Sequence, residues 1–208
     1  MQFGPSFDKR KMLGLVAGTL WNEFIELNRM AFADWLPRNG ESRAIGYAFR
    51  WMRKQYPHIK WCVSFADGTQ CGDGTIYRAS GFLLTGITEN RSILELSDGS
   101  RVASMTYTKG THIFGQRGRA GVPSDSKRLP GFQLRYIYFL DPTARDRLTA
   151  SVLPFSEIDK RGAGMYKGKQ RLQSRAGSDT SDTPGSQPGK GGSTPTPALQ
   201  FSQSVDHG

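Results

Sequence analysis

The chain has 208 residues, 37% of them hydrophobic, and a formal net charge of +10. No run approaches the ~20 apolar residues of a membrane-spanning helix, and no signal-peptide pattern opens the chain, so we expect a soluble, intracellular protein without a membrane partner. The two cysteines, Cys62 and Cys71, are too few for a secreted disulfide framework and have no CxxC spacing for zinc, so we expect free thiols.

The basic residues are concentrated in the second half of the chain. Residues 101 to 175 contain 15 Lys and Arg but only 5 Asp and Glu. Clustered cations favour a polyanionic partner such as nucleic acid, although a solvated basic surface is the simpler alternative. Residues 172–208 are rich in Gly, Ser, Pro and Thr and cannot bury enough apolar surface to fold. We therefore expect one folded domain over residues 1–171 and a disordered tail over residues 172–208.

The first half of the chain predicts strands followed by one clear helix. "MQFGPS" and "KMLGLVAGT" suggest two short strands around a charged turn, and "FIELNRMAF" suggests a third. Ser42 can cap a helix in which the apolar residues recur at spacings of four, three and four, before Pro57 ends it. The apolar positions of that helix are Ile45, Phe49, Met52 and Tyr56.

The remaining elements complete a mixed pattern. "IKWCVSFAD" predicts a strand, "TIYRASG" a short helix closed by Gly81, and "FLLTGIT" the next strand. "RSILELSDGSRVASMTYT" predicts a hairpin around Asp98-Gly99, and "GFQLRYIYFLD" predicts the last strand. This order of strands and helices implies an α/β fold with a mixed sheet and helices on its faces.

The turn into the long helix, "RNGESRAIGYA", is a candidate phosphate site. Unpaired N–H groups and the positive end of the dipole at a helix N-terminus attract phosphate. The segment has the spacing Arg-x-x-Gly-x-Ala but no Walker or dinucleotide motif, and a plain capped helix explains it equally well. The candidate cofactor-binding residues are Arg43, Ala44, Ile45, Gly46, Tyr47 and Ala48.

The stretch "VSFADGTQCGDGTIYRASGF" carries the second candidate site. Asp67 ends a predicted strand, where open α/β sheets bind ligands, and Tyr77 follows after one loop. A tyrosine hydroxyl can act as general acid toward a departing thiolate. Taken singly, Asp67 is also typical of a turn residue and Tyr77 of a packed core tyrosine.

Together the two sites resemble the coenzyme A site of the GNAT acyltransferase superfamily. "FIELNRMAFADWLPRNGESRAIG", "VSFADGTQCGDGTIYRASGF" and "LPGFQLRYIYFLDP" further resemble the Mom family of bacteriophage DNA adenine-modification proteins. The resemblance implies a GNAT-like, mostly antiparallel mixed sheet with flanking helices. It also implies an enzyme in the bacterial host cytoplasm that adds a methylcarbamoyl (acetamido-type) group to adenine N6 and shields phage DNA from restriction. Acetyl-CoA or a related acyl-CoA is the implied donor, and iron is a further candidate cofactor.

Matched position by position, the resemblance gives candidate catalytic residues: Arg29, Ser42, Asp67 and Tyr77. Arg29 can hold a phosphate or a polarised carbonyl, and Asp67 can accept hydrogen bonds from an adenine amino group. Ser42 is expected to cap the helix or to bond a coenzyme phosphate. In the basic region, the candidate contacts to double-stranded or transiently opened DNA are Lys109, Arg117, Arg119, Lys127, Arg128 and Arg135.

Two features leave alternatives open. "MQFGPS" looks like an internal strand of the family, so we expect the usual first helix and strand of a GNAT domain to be missing. The histidines are scattered, and His112 alone suggests no metal triad. A conventional acetyl-CoA-dependent N-acetyltransferase of a protein or small amine, and a non-catalytic nucleic-acid-binding protein, are the alternative functions.

Overall fold

The computed structural model describes residues 1–6, 8–33, 35–69, 71–108, 111–113, 116–118, 121–166 and 169–170, although the side chains of 108, 111–113, 116–118 and 170 are not described. The predicted tail, residues 172–208, lies outside these ranges. In the described ranges no helix has both the length and the apolar character needed to cross a bilayer. The helices are α1 (Lys9–Leu13), α2 (Gly40–Gln55), α3 (Thr75–Ala79), α4 (Met105–Thr108), a 3-10 helix (Pro142–Arg147) and α5 (Ser156–Lys160).

The described strands form one main sheet and three small ones. The main sheet has the order β1-β2-β3-β10-β4, in which β2 and β3 are parallel and the other pairs are antiparallel. The expected mixed, mostly antiparallel sheet is confirmed. The strands are β1 (Gln2–Gly4), β2 (Phe24–Arg29), β3 (Trp61–Asp67), β4 (Leu83–Glu89), β5 (Ile93–Glu95), β6 (Arg101–Ala103), β7 (Thr111–Ile113), β8 (Gln116–Gly118), β9 (Lys127–Arg128), β10 (Phe132–Phe139), β11 (Met165–Tyr166) and β12 (Lys169–Gln170).

Helices cover both faces of the main sheet. On one face α2 buries the periodic residues Ile45, Phe49 and Met52 in a cluster with side chains of β2, β3, β4 and β10. On the other face, α1 and the 3-10 helix pack over Trp61 and Val63 of β3. Each fully buried side chain of this size contributes roughly 1.5–3 kcal/mol through the hydrophobic effect. The burial of α2, which connects β2 to β3, therefore holds these two parallel strands together on one side of the sheet.

Several predicted elements differ from the structure. A helix forms over residues 9–13, where the predicted strand 11–19 was expected to begin, because Asp8 accepts a hydrogen bond from the Lys11 N–H (3.4 Å) and caps a helical turn. The helix α2 begins at Gly40, so Ser42 is not its cap. Residues 105–108 are helical instead of extended, and the strand 132–139 is followed by two short strands. Tyr56, predicted to face the core, is 42% exposed.

The remaining predicted elements are confirmed. The strand 61–67, the helix 75–79 and the strand 83–89 lie where the sequence places them, and Gly81 follows the short helix with φ +82°. Gly99 has φ +78° in the predicted hairpin turn between β5 and β6. Both cysteines are free thiols, Cys62 buried and Cys71 exposed.

Candidate functional site

The two parallel strands separate at their carboxyl ends. The pairing of β2 with β3 runs from Phe24↔Trp61 to Leu27↔Ser64, although β2 continues to Arg29 and β3 to Asp67. The Ser64 hydroxyl donates to the Leu27 carbonyl at 2.9 Å and so joins the strands at the last paired position. Beyond it, the two backbones no longer pair with each other and leave a gap between them.

A cleft of about 870 Å³ occupies this end of the strands. Its apolar walls include Phe32, Phe65 and Met165, and its polar groups include Arg29 and Asp67. Such a volume is typical of sites for small molecules and cofactors. The cleft thus has space for a ligand beside a small number of polar side chains.

Three of the four predicted catalytic residues line this cleft: Arg29, Asp67 and Tyr77. Arg29 is exposed at the end of β2, and no ion pair among the described residues includes it. Ser42 is not among the lining residues; its hydroxyl donates to the Asn39 carbonyl at 3.1 Å within the first turn of α2. The structure therefore brings three predicted residues together and separates Ser42 from them.

Asp67 is held by two hydrogen bonds from opposite sides. Its Oδ1 accepts from the Thr69 N–H at 2.8 Å, and its Oδ2 accepts from the Asn90 side-chain amide at 2.9 Å. Asn90 is itself fixed, because its Oδ1 accepts from the Ser92 N–H. A carboxylate oxygen has two lone pairs, so each oxygen keeps an acceptor site for a ligand. Asp67 is thus oriented before any ligand arrives.

Tyr77 joins the cleft to the core. Its ring is 7% exposed and contacts Phe82 and Tyr136, each with ring centroids 5.2 Å apart. Its hydroxyl lies 2.7 Å from the Ser64 hydroxyl. Ser64 has a single proton for two acceptors, the Leu27 carbonyl and the Tyr77 hydroxyl; when that proton is donated to Leu27, the Tyr77 hydroxyl can donate its own proton to Ser64. Burial raises the pKa of Tyr77 above its ordinary value, despite the opposing effect of Ser64, and keeps the hydroxyl protonated.

Gly74 allows α3 to begin close to the sheet. It has φ +84°, and a Cβ atom at this position would overlap the ring of Tyr136. The Tyr136 hydroxyl also donates to the Asp73 carbonyl. Only glycine fits this combination of positive φ and close approach, and it places Tyr77 against the end of the sheet.

The predicted phosphate segment, residues 43–48, lies inside α2 instead of at its start. Arg43 N–H already donates to the Asn39 carbonyl at 3.1 Å, and the residues after it belong to the helical ladder. Ile45 is fully buried. The physical basis of the expectation, unpaired backbone N–H groups, is therefore absent at Ala44, Ile45, Gly46, Tyr47 and Ala48. The exposed Arg43 side chain is still available to an anion.

The predicted DNA contacts divide into three groups. Lys109 and Arg119 lie outside the described residues, and Arg117 belongs to β8 without a described side chain. Lys127 and Arg128 are exposed on β9, although Arg128 donates to the Arg91 carbonyl at 3.1 Å.

Arg135 is half-buried, and part of its hydrogen-bonding capacity is used within the sheet. Its Nε donates to the Thr85 hydroxyl at 3.1 Å and its Nη2 to the Thr85 carbonyl at 2.8 Å, and burial lowers its pKa. Its role in binding DNA stays a prediction.

The described part of the chain offers no ready metal centre. Among its residues, no three His, Cys, Asp or Glu side chains come together in a group that could hold a metal ion. The side chain of His112, on β7, is not described.

The sequence analysis missed two residues that organise the cleft. Ser64 bonds both Tyr77 and β2, and Asn90 bonds Asp67. Ser64 occupies an inward position of a predicted strand, where a hydroxyl needs a hydrogen-bond partner, so the sequence indicated that Ser64 bonds another polar group. Asn90 follows a strand, as many turn residues do, and nothing in the sequence marked it as a partner of Asp67.

The fold and the cleft together define an α/β protein with a ligand-sized site at the carboxyl ends of two parallel strands, a common position for ligands in open α/β sheets. The model of the Mom protein family matches residues 1–157, so the chain belongs to the Mom protein family. The methylcarbamoylase Mom of Escherichia phage Mu is 35% identical to it over 168 residues, which cover 77% of this chain and 66% of the relative. The chain thus matches less than two thirds of that relative's length.

Proposed function

We propose that this protein is a GNAT-like enzyme that transfers a methylcarbamoyl (acetamido-type) group to adenine N6 in DNA and so protects phage DNA from restriction in the host cytoplasm. The observation that carries the proposal is the separation of β2 and β3 beyond Leu27 and Ser64, with Arg29, Asp67 and Tyr77 around the resulting cleft. The family match and the methylcarbamoylase relative support the same chemistry.

The gap between the strands suits the donor that we propose, acetyl-CoA or a related acyl-CoA. The pantetheine arm of coenzyme A is extended and contains amide groups, which can pair with strand backbone as an added strand does. Arg29, exposed at the end of β2, is the cation best placed for a phosphate or a polarised carbonyl. Transfer would form a bond between adenine N6 and the thioester carbon, break the carbon–sulfur bond, release coenzyme A as the protonated thiol and pass one N6 proton to Asp67. Acetyl-CoA itself would deliver only an acetyl group, so a methylcarbamoyl product requires a related acyl-CoA whose acyl part already contains the amide nitrogen. No proposed step uses iron, since the described residues provide no ligand set for it.

The cleft also suits an unstacked base. Phe32, Phe65 and Tyr166 line it, and bases taken out of the duplex are held between aromatic and apolar side chains. Asp67 lies in the same cleft and can accept a hydrogen bond from the exocyclic amino group of adenine, whose N–H donors match a carboxylate. Because Thr69 and Asn90 already orient Asp67, it needs no rearrangement to receive that group.

Tyr77 is the proposed proton donor. Its raised pKa keeps the hydroxyl neutral at physiological pH, so its proton is available when negative charge develops on the leaving group. To donate into the cleft, the hydroxyl must exchange its hydrogen bond with Ser64 for one with the ligand.

Mass spectrometry of nucleosides tests the proposal. DNA from cells that express the protein should contain an adenine nucleoside heavier by the added group, and Asp67→Asn should reduce that product about 1,000-fold. Ser42→Ala is the matched control: among the described residues the Ser42 hydroxyl bonds the first turn of its own helix, so the yield should be unchanged. Unmodified adenine, at normal protein level, would contradict the proposal. A conventional N-acetyltransferase or a binding protein would then have to explain the cleft.

A further inference from the structure

The solvent-facing side of α2 carries exposed aromatic rings and cations that the cleft does not use. We call Tyr47, Arg50, Trp51 and Lys54 the outer face of α2. Tyr47 is 67% exposed and Trp51 is 47% exposed, and both cations are exposed as well. With 3.6 residues per turn, the four positions fall within roughly 100° of arc, opposite the buried side chains of the helix. The outer face is therefore one continuous strip.

Within the described ranges, no ion pair neutralises the positive charge on the outer face. No acidic residue occurs in the sequence between Glu41 and Asp67. In the part of the chain that the structure describes, Arg50 and Lys54 belong to none of the ion pairs. The next cation on the helix behaves differently, because Arg53 donates to the Leu140 carbonyl and to the Tyr138 hydroxyl. The outer face thus keeps cations that are accessible to a polyanion.

The aromatic side of the strip continues past the end of the helix. The rings of Trp51 and Tyr56 lie edge to face with centroids 5.3 Å apart, and those of Tyr56 and His58 are 6.1 Å apart. Tyr56 and His58 are also exposed. Four exposed rings on α2 and just beyond its end, beside cations that have no ion pair among the described residues, form an exposed patch that a helix covering a core does not need; such patches mark interaction sites.

We propose that the outer face of α2 binds single-stranded nucleic acid. Each nucleotide of a single strand offers one phosphate and one unstacked base, and this surface offers cations for the first and rings for the second. An acidic peptide would match the charge but leave the rings exposed. A duplex would match the charge while its bases remain stacked on each other. The biological role of this surface rests on the proposed function: the DNA strand that is opened beside a modified base would lie on the outer face of α2.

Fluorescence anisotropy with a short fluorescein-labelled oligo(dT) tests this surface. Trp51→Ala should weaken binding about tenfold at every salt concentration, because a lost stacking contact does not involve counterions. Arg50→Glu should also weaken binding and should lower the slope of log affinity against log salt by at least about 0.7, the contribution of one phosphate contact on a single strand. Trp21→Ala is the matched control: Trp21 is 55% exposed and has a lysine over its ring, yet lies outside α2.

The outcomes separate this inference from the proposed function. Wild-type affinity in Trp51→Ala, an equal loss in Trp21→Ala, or absence of oligonucleotide binding by the wild type would overturn it. Displacement by coenzyme A, equally effective competition by polyglutamate, or equal affinity for a duplex of the same length would also overturn it. Asp67→Asn, in the cleft, should bind the oligonucleotide normally. If binding follows this pattern while no modified adenine forms, the inference stands and the proposed function fails.

Discussion

The cleft and the outer face of α2 represent two different ways of presenting polar side chains. In the cleft, the Asp67 carboxylate has hydrogen bonds to Thr69 and Asn90, and the Tyr77 hydroxyl is bonded to Ser64. On the outer face, Arg50 and Lys54 have no ion pair among the described residues. Groups fixed in advance suit chemistry, because no reorganisation is needed in the transition state. Exposed side chains that are not held by partners suit a polymer whose sequence and conformation vary. Changes in the two regions should therefore have different consequences.

The largest effect is expected from Asp67→Asn. The amide cannot provide the negative charge that receives the adenine amino group, so the yield of modified adenine should fall about 1,000-fold, within the range of acid–base contributions. The new NH₂ group also meets the Asn90 amide donor, which should cost about 1 kcal/mol of unfolding free energy. Urea titration gives this cost and allows the yield to be normalised to folded protein. A normalised yield near wild type would remove Asp67 from the mechanism.

The second-largest effect separates two roles of the Tyr77 hydroxyl: donating a proton in the reaction and bonding Ser64 in the fold. Tyr77→Phe removes both the proton and the hydrogen bond and should reduce modification about 100-fold. This is the low end of the range for general acid–base catalysis, because water can replace a missing proton donor. Ser64→Ala removes the same 2.7 Å contact but leaves the Tyr77 hydroxyl, so modification should stay close to wild type. Both variants should lose about 1 kcal/mol of stability. Equal losses of modification in the two variants would show that the contact is structural and that Tyr77 is not the acid.

A smaller effect concerns pH. Burial raises the pKa of Cys62 above its ordinary 9.0, and that of Tyr77 above 10.0. The unfolded chain therefore releases these protons at a lower pH than the folded protein, and stability that is complete below about pH 9 is lost as the pH rises. For Cys62 the loss should approach about 1.4 kcal/mol per pH unit. Cys62→Ala should flatten this decline in urea titrations between about pH 8 and pH 11, whereas an unchanged slope would contradict the burial of an undissociated thiol.

The smallest effect is expected on the outer face of α2. Trp51→Ala should change the free energy of unfolding by less than about 0.5 kcal/mol, because the ring is exposed. Phe49→Ala, two residues away and 1% exposed, should cost about 3–5 kcal/mol. Thermal or urea unfolding measures both. A large loss in Trp51→Ala would mean that the ring supports the fold, and the contrast between the two regions would disappear.

The sequence predicted local features better than the contacts between distant segments. The buried face of α2 follows from the spacing of Ile45, Phe49 and Met52. The start of the predicted strand 11–19 is helical instead, because a helix of five residues is too short to show its period in the sequence and the Asp8 cap decides the outcome. The position of β10 between β3 and β4 could not be read from the sequence, because strand order depends on long-range pairing.

The candidate site was predictable for a different reason. Asp67 and Tyr77 were candidates from their positions after a predicted strand, the resemblance to the Mom family added Arg29, and the structure places all three at one cleft. Which residues bond Asp67 and Tyr77 was not predictable, because Asn90 lies 23 positions and Ser64 13 positions away in the sequence. Only the folded structure brings these pairs together. Arg135 shows the converse, since a cation in a basic region is used inside the sheet.

The central claim is that the cleft between the separated strands is the ligand site, and Cys71 reports on it directly. Its thiol is exposed and lines the cleft, whereas Cys62 is fully buried and should not react. The measurement is the rate at which iodoacetamide alkylates Cys71 in the native protein with and without desulfo-coenzyme A, which keeps the arm common to all acyl-CoA donors but has no thiol to consume the reagent. Saturating desulfo-coenzyme A should slow alkylation about tenfold or more, as expected when most sites are occupied. An unchanged rate at saturating desulfo-coenzyme A would contradict the claim.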